Sequence, residues 1–374
     1  MRFDLAESRF VDRDHRPDAP AVIGADRTLS WLELEAAAFA WCDAAVAQGI
    51  GRDTPVIVRG HKEADFFVAM TGALLLGAPF VPVDTVYPDE RMRRIARALN
   101  AAVYFDARRA GFERFEWAED FAQASSPRQT LREKGLAYVL FTSGTTGEPK
   151  GVQIGRESVQ SLAHWMAADF ALGAAPVFLN QAPFSFDLSM YEVFGTLALG
   201  GTIVMMSRAA CLPGPTFIEA LARARVSAWV STPSFAQQQL LEPRFAQHSL
   251  ASLNTFLFCG EMLPVSLARR LRERFPDARI INTYGPTEAT VAASWIVVDD
   301  AVLAAYPERL PIGFARRDGE VFVEGGELCI AGPYVMRGYL NRADLNATRM
   351  FSRDGQRAFR TGDLGSIDAD GLLL

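Results

Sequence analysis

Short apolar runs of strand character alternate with longer helical stretches along most of this chain, and that alternation restricts its fold more than any other feature. Ser30 and Glu33 form a capping box ahead of an apolar-periodic run that stops at Gly49, which predicts a helix over 30–48. The strand-like PVIVR follows, then a helix near 63–76, a strand at 80–83, a helix from 89, a strand near 102–105 and the strand GLAYVLFT at 135–142. A second series opens with a helix over 156–169 and continues through strands near 177–180, 201–206, 227–231, 254–259 and 279–282, with helical stretches between them. Such βα alternation implies parallel sheets covered by helices on both faces, so the expected fold is α/β, with two parallel-rich subdomains packed together over residues 1–290. After Thr290 the pattern changes to short β runs with Gly and turn residues, EVFV, ELCIAG and GSIDADGLLL. These predict a small distorted β-barrel over 291–374.

A chain of 374 residues with 49% hydrophobic content can bury more than one core. Its net charge of -6 argues against a nucleic-acid groove, because neutralising phosphates needs clustered positive charge; the locally basic Asp89 to Arg97 reads as a solvated helix face. Cys42, Cys211, Cys259 and Cys329 lie far apart with no C-x-x-C pair, which predicts neither a disulfide framework nor a zinc site and points to a reducing, cytoplasmic compartment. The N-terminus MRFDLAESRF carries charges where a signal peptide would be apolar, so no export is expected. Phe66 to Val83 has no charged residue and approaches a membrane span in length, but Gly77, Pro79 and Pro82 break it. A buried helix ending at Gly77, followed by a core strand, is expected instead of membrane insertion. A monomer is the expected state. The apolar ending after DADG predicts that the natural chain continues beyond Leu374.

The strongest chemical signal is Phe141 to Gly151, FTSGTTGEPKG, read as the link between a strand and a helix. Gly144, Gly147 and Gly151 let the backbone turn tightly and present its N–H groups, while Thr142, Ser143, Thr145 and Thr146 add hydroxyls and Lys150 adds charge. Together they make a polyphosphate cradle. The string is not a Walker A loop, because the lysine does not directly follow the second glycine and no Ser or Thr follows the lysine. Further along, NTYGPTE puts an aromatic ring, a Gly-Pro turn, a hydroxyl and a carboxylate at one strand end, where open α/β sheets bind ligands.

FTSGTTGEPKG resembles the signature loop of the adenylate-forming superfamily, which includes acyl-CoA synthetases, luciferases and nonribosomal peptide synthetase adenylation domains. PFSFDLSMYE at 183–192, NTYGPTEAT at 282–290 and FRTGD at 359–363 match further motifs in the expected order. The resemblance implies that Tyr284 stacks on adenine, Thr287 contacts the α-phosphate, Glu288 holds Mg²⁺ and Asp363 takes the ribose hydroxyls of ATP. Gly260, Glu261, Asn282, Thr283 and Gly285 complete the implied nucleotide site, and Thr287, Glu288 and Lys150 are the implied catalytic set. A carboxylate in a mostly apolar pocket needs a cationic partner to stay ionised, so Asp187 is expected to meet the ammonium of an amino acid; a helix N-cap is the plainer role, and both can coexist. Members that activate fatty acids or acetate lack this aspartate.

Within the superfamily, FCGEMLPVS with NQAPFSFDLS, STPSF and NTYGPTEATVA resembles the D-alanine:carrier protein ligases. The matching cysteine, Cys259, then lines the side-chain pocket and helps select D-alanine, with Leu188, Tyr191, Gly285, Pro286 and Val291 around it. Composition alone would make Cys259 a small core residue. Tyr191 departs from those ligases, which usually have a smaller or more flexible residue there, so the pocket could be shortened toward glycine or changed in chirality. GFARRDGEVFVEGGELCIAG is also shorter than the usual hairpin, so a trimmed barrel edge is expected.

The implied reaction has the amino acid carboxylate attack the α-phosphate of ATP, giving an aminoacyl-adenylate and pyrophosphate. Transfer to the phosphopantetheine thiol of a carrier protein follows, after a C-terminal lid rotates. That lid and its lysine would lie beyond Leu374, so these 374 residues are expected to bind both substrates but to adenylate poorly. Two alternatives stay open at this level: an adenylation enzyme for glycine, L-alanine or another small amino acid, and a non-catalytic nucleotide-binding regulator. A serine hydrolase is disfavoured, because no G-x-S-x-G elbow accompanies His15, His61, His164 and His248.

Overall fold

The computed structural model describes residues 1–116, 131, 133–143 and 149–374. Val56–Gly60 pairs in parallel with Phe80–Asp84 and with Val103–Asp106, and Phe80–Asp84 pairs in parallel with Leu136–Ser143. Antiparallel Gly111–Arg114 closes one edge and Pro149–Gly155 with Gly338–Tyr339 extends the other, making a seven-stranded sheet. A nine-stranded sheet has six parallel strands at its centre, in the order Arg279–Tyr284, Thr255–Phe258, Ala228–Ser231, Val177–Asn180, Thr202–Met205, Pro20–Ile23. Its central strands Thr202–Met205, Ala228–Ser231 and Thr255–Phe258 are buried on both faces, and alternate side chains feed different cores. Ala228 and Val230 face the core shared with the seven-stranded sheet, whereas Trp229 joins an aromatic group with Phe217, Phe245, Phe256 and Phe275.

The helices begin where local chemistry places them. Ser30 Oγ accepts the Glu33 N–H at 3.2 Å and the Glu33 carboxylate accepts the Ser30 N–H at 2.8 Å, so the capping box forms and the helix runs Trp31–Ala47. Ala64–Leu76 is buried nearly all round because it packs on Val56–Gly60, on Phe80–Asp84, on Pro20–Ile23 of the other sheet and on Trp31–Ala47. It stops at Gly77, whose φ of 78° is the left-handed conformation glycine adopts without strain. Among the described residues no helix is long and apolar enough to cross a membrane.

Three expectations change. FTSGTTGEPKG does not join a strand to a helix: Leu136–Ser143 and Pro149–Gly155 form an antiparallel hairpin, and the helix Arg156–Asp169 starts only after it. The reason lies in PKGVQIG, where Val152 and Ile154 alternate into the core with strand periodicity. Second, the change of pattern after Thr290 does not begin a new sheet. Ser294–Val297 and Phe314–Ala315 add antiparallel strands to the nine-stranded sheet, and the separate four-stranded sheet starts at Glu320, in the order Glu320–Glu324, Glu327–Ala331, Gln356–Leu364, Met350–Arg353. Gly325 and Gly326, with φ of 63° and 86°, make the two-residue turn of its first hairpin. Third, GSIDADGLLL contributes isolated bridges from Leu373 to Gly313 and Ile367 in place of a strand. The strands Arg2–Asp4, Arg9–Val11, Pro20–Ile23 and Thr28–Ser30 carried too short a pattern to be foreseen.

Candidate active site

The segment after Asn180 leaves the nine-stranded sheet and folds through two tight turns, Phe186 N–H to Pro183 C=O at 2.9 Å and Ser189 N–H to Phe186 C=O at 3.1 Å, before the helix Ser189–Leu199. The turns carry Asp187 into the interior, where it is 8% exposed. It does not cap the helix: Leu188 occupies that position and no side chain caps it. Instead its Oδ2 accepts the Thr287 hydroxyl at 2.8 Å. Burial pushes the Asp187 carboxyl up to about 6; the Thr287 hydrogen bond opposes this shift and the nearby Glu288 charge adds to it. Thr287, expected at the α-phosphate, therefore also positions Asp187.

Glu288 follows on the short turn Thr287–Ala289. Its Oε1 accepts the hydroxyl of Tyr339 at 2.5 Å, and the Lys150 ammonium lies 5.2 Å from the centroid of the Tyr339 ring. Burial, and then the Glu288 charge, drive the Tyr339 hydroxyl well above its ordinary range, so it remains a donor. Tyr339 thus links the lysine of the phosphate string to the carboxylate of NTYGPTE. Sequence reasoning missed it, because a two-residue strand at Gly338–Tyr339 has no local signature. Thr142 lies directly across the hairpin from Lys150. Gly144, Thr145, Thr146 and Gly147, together with the Ser143 side chain, lie outside the described residues. Among the described residues no three His, Cys, Asp or Glu side chains group as a metal site. Glu288, with one oxygen held by Tyr339, suits Mg²⁺ bound by a single carboxylate together with phosphate oxygens.

On the other side, Tyr284 donates its hydroxyl to Asp363 Oδ2 at 2.6 Å, tying the nine-stranded sheet to the four-stranded one. Both line a cavity of about 440 Å³ with Gly260, Glu261, Asn282 and Gly285. Glu261 accepts the Ser234 N–H at 3.0 Å and its hydroxyl at 2.5 Å, and the Asn282 amide donates to Pro311 C=O at 2.9 Å. Those partners hold the expected nucleotide residues around one opening.

Several of the residues expected around the substrate side chain lie in contact with one another or with the same neighbours. Tyr191, fully buried beside Trp165 and Phe170, donates to Thr283 Oγ1 at 3.3 Å, and Thr283 donates to Phe258 C=O at 2.8 Å. The Cys259 thiol, pushed up to about 12 by burial, meets Val291 C=O at 3.6 Å. A Cβ on Gly285 would lie 2.4 Å from Ala292 Cα, so only glycine permits this approach. Pro286 C=O accepts the Ala289 N–H at 2.9 Å, and Leu188 is buried beside Asp187. Thr290 and Val291 both hold left-handed φ, 52° and 76°, which β-branched residues rarely adopt. Thr290 Oγ1 donates to Tyr334 C=O at 2.7 Å to hold this turn. Arg316, stacked between Trp165 and Tyr334 at 4.5 and 4.0 Å, adds bonds to the carbonyls of Ala292 and Ala293. Arg316 was not foreseen either, since a loop arginine in RRDG gives no hint of burial.

The family model for AMP-binding enzyme matches residues 11–340. The chain belongs to the AMP-binding enzyme family. This AMP-binding enzyme is 37% identical over 388 residues to the D-alanine–D-alanyl carrier protein ligase of Bacillus velezensis, covering 96% of the chain and 76% of the relative. It is 42% identical over 341 residues to the ligase of the same name from Lactiplantibacillus plantarum, covering 85% and 67%. Among solved structures, CmiS6 superposes with a TM-score of 0.83 at 27% identity, covering 99% of this chain and 96% of that one. The nonribosomal peptide synthetase FmoA3 in its α-methyl-L-serine-AMP bound form superposes at 0.82 and 26% identity, covering 99% and 44%. The AMP-binding enzyme therefore has the α/β architecture of the adenylation core.

Proposed function

We propose that this AMP-binding enzyme uses ATP to activate a small amino acid, D-alanine first among candidates, as its aminoacyl-adenylate and passes the acyl group to the phosphopantetheine thiol of a carrier protein. One observation carries the reading: Asp187 is buried, its carboxyl is pushed up to about 6, and Thr287 of NTYGPTE anchors it beside the nucleotide cavity. A ligand ammonium would restore the charge balance that burial upsets. The names of the relatives in two bacterial species support D-alanine and a carrier partner. Four free thiols, at Cys42, Cys211, Cys259 and Cys329, fit a reducing cytoplasm.

In this reading the substrate carboxylate attacks the α-phosphorus in line with the bond to the β-phosphate. That bond breaks, pyrophosphate leaves with its electron pair, and no enzyme nucleophile is needed. Asp187 fixes the ammonium, Tyr284 and Asp363 fix adenine and ribose, and Thr142 to Lys150 hold the phosphates. Glu288 would hold Mg²⁺, which supplies charge neutralisation on the triphosphate when bound. The carrier thiol then attacks the acyl carbon and AMP departs.

Amino-acid-dependent pyrophosphate exchange, run alongside calorimetric binding of ATP and of alanyl-adenylate analogues, tests the proposal. D-alanine is expected to exceed L-alanine by about tenfold, the discrimination available from about 1.4 kcal/mol. A preference for L-alanine would remove D-alanine from the proposal, and failure of both exchange and nucleotide binding would remove the enzyme. A second reading, glycine, is favoured by the buried Tyr191, whose ring, held by its bond to Thr283, would leave less room for a substrate side chain. Glycine exceeding both alanines would establish it.

A further inference from the structure

Lys62 follows the strand Val56–Gly60 of the seven-stranded sheet and is 1% exposed, a rare setting for a lysine. Among the described residues its hydrogen bonds go to the other sheet, while Asp84 of its own sheet adds to the charges that favour the ammonium. It donates to Asn180 Oδ1 at 2.5 Å and to Ala182 C=O at 2.6 Å, and it lies 4.8 Å from the Phe184 ring centroid. Asn180 ends a strand of the nine-stranded sheet, and Ala182 and Phe184 belong to the turn segment that delivers Asp187. Phe66, from the helix after Lys62, packs on the same Phe184 at 4.8 Å. Further along the sequence, on the helix Ser189–Leu199, stands Glu192, fully buried. Burial lowers the Lys62 ammonium and raises the Glu192 carboxyl, and each residue is the strongest charge influence opposing the other's shift. Three donors on one ammonium, two carbonyl-type acceptors and an aromatic face form a charge-assisted anchor that a neutral side chain cannot reproduce.

We infer that Lys62 is a positioning residue for amino-acid capture: its ammonium straps the Asn180-to-Asp187 segment, and with it the Asp187 carboxylate, to the opposite half of the enzyme. The inference rests on the proposed role of Asp187 as the acceptor of the substrate ammonium. Lys62 touches no part of the nucleotide cavity, so its effect belongs to the amino acid and not to ATP.

The test compares the unaltered chain with Lys62→Met and Asn180→Ala. It measures KM for D-alanine and for ATP in pyrophosphate exchange, and amide hydrogen exchange across the chain. Lys62→Met removes both charge-assisted bonds and is expected to raise the amino-acid KM by about tenfold or more, with the ATP KM within about twofold. Amide protection should fall over residues 181–190 and remain over 282–288. Asn180→Ala leaves Lys62 its Ala182 acceptor and should give the same split at smaller size, which keeps the idea testable if Lys62→Met does not fold. Equal rises in both KM values, no change in either, or loosening that spreads equally to 282–288 would overturn the strap. Absence of both amino-acid-dependent exchange and nucleotide binding in the unaltered chain would instead overturn the functional reading, and the amide-protection comparison would still decide the strap.

Discussion

A carboxyl group held at about 6 costs the empty enzyme stability, and the sign follows from its protons. The folded state binds the Asp187 proton more tightly than the unfolded chain, whose carboxyl has its ordinary value of 3.8. Stability conferred by Asp187 is therefore greatest below 3.8, declines as pH rises toward 6, and stays low above it, by about 3 kcal/mol at most. Asp187→Asn should raise the melting temperature of the ligand-free protein by a few degrees at neutral pH and lower amino-acid affinity by about 100-fold. Thermal melts and exchange kinetics check both, and an Asn variant that melts lower would contradict the desolvation account. In the unaltered enzyme, amino-acid affinity should fall about tenfold per pH unit below 6, read as KM against pH. Val291 poses a different balance. Its φ of 76° stores about 1–3 kcal/mol of strain, comparable with what its buried side chain contributes. Val291→Gly should therefore leave urea stability within about 1 kcal/mol, because the relieved strain offsets the lost burial.

Elements were legible where a start or stop signal lies within a few residues. Ser30 and Glu33 set one helix start, and Gly77 ended the buried helix that a hydropathy count alone would have sent toward a membrane. The hairpin around the phosphate string was not legible, because the alternation in PKGVQIG spans few residues and runs straight into a helical pattern at Arg156. Helix packing, by contrast, leaves a direct test. A Cβ on Gly72 would lie 2.5 Å from the Trp41 ring where the helices Ala64–Leu76 and Trp31–Ala47 cross. Gly72→Ala should destabilise by about 1–3 kcal/mol in denaturant titration despite its better helix propensity, because overpacking outweighs the smaller backbone gain. Its KM values should not change, since the crossing lies outside the residues that line the site.

At the scale of the molecule, the cavity proposed for the nucleotide is lined from both the four-stranded and the nine-stranded sheets, and the 2.6 Å bond from Tyr284 to Asp363 spans that junction. Saturating ATP at about 100 times its dissociation constant should stabilise the folded enzyme by about 2.7 kcal/mol. Asp363→Ala should lose most of that shift while melting close to the unaltered protein without ATP, because Asp363 is exposed; an undiminished ATP shift would exclude it from the ribose site. The sequence by itself determined the βα alternation, the helix caps and the residue types of each motif, because all of these depend on neighbours within a few positions. It also placed Asp187, Thr287, Tyr284 and Asp363 in motifs of the right order. Tertiary structure alone decided that Thr287 would hold Asp187 across 100 residues, that Tyr339 would connect Lys150 to Glu288, and that the Lys62 ammonium would cross 118 residues to Asn180. Contacts at that separation come from how sheets stack and twist, and a buried charge reveals its partner only when the chain has closed around it.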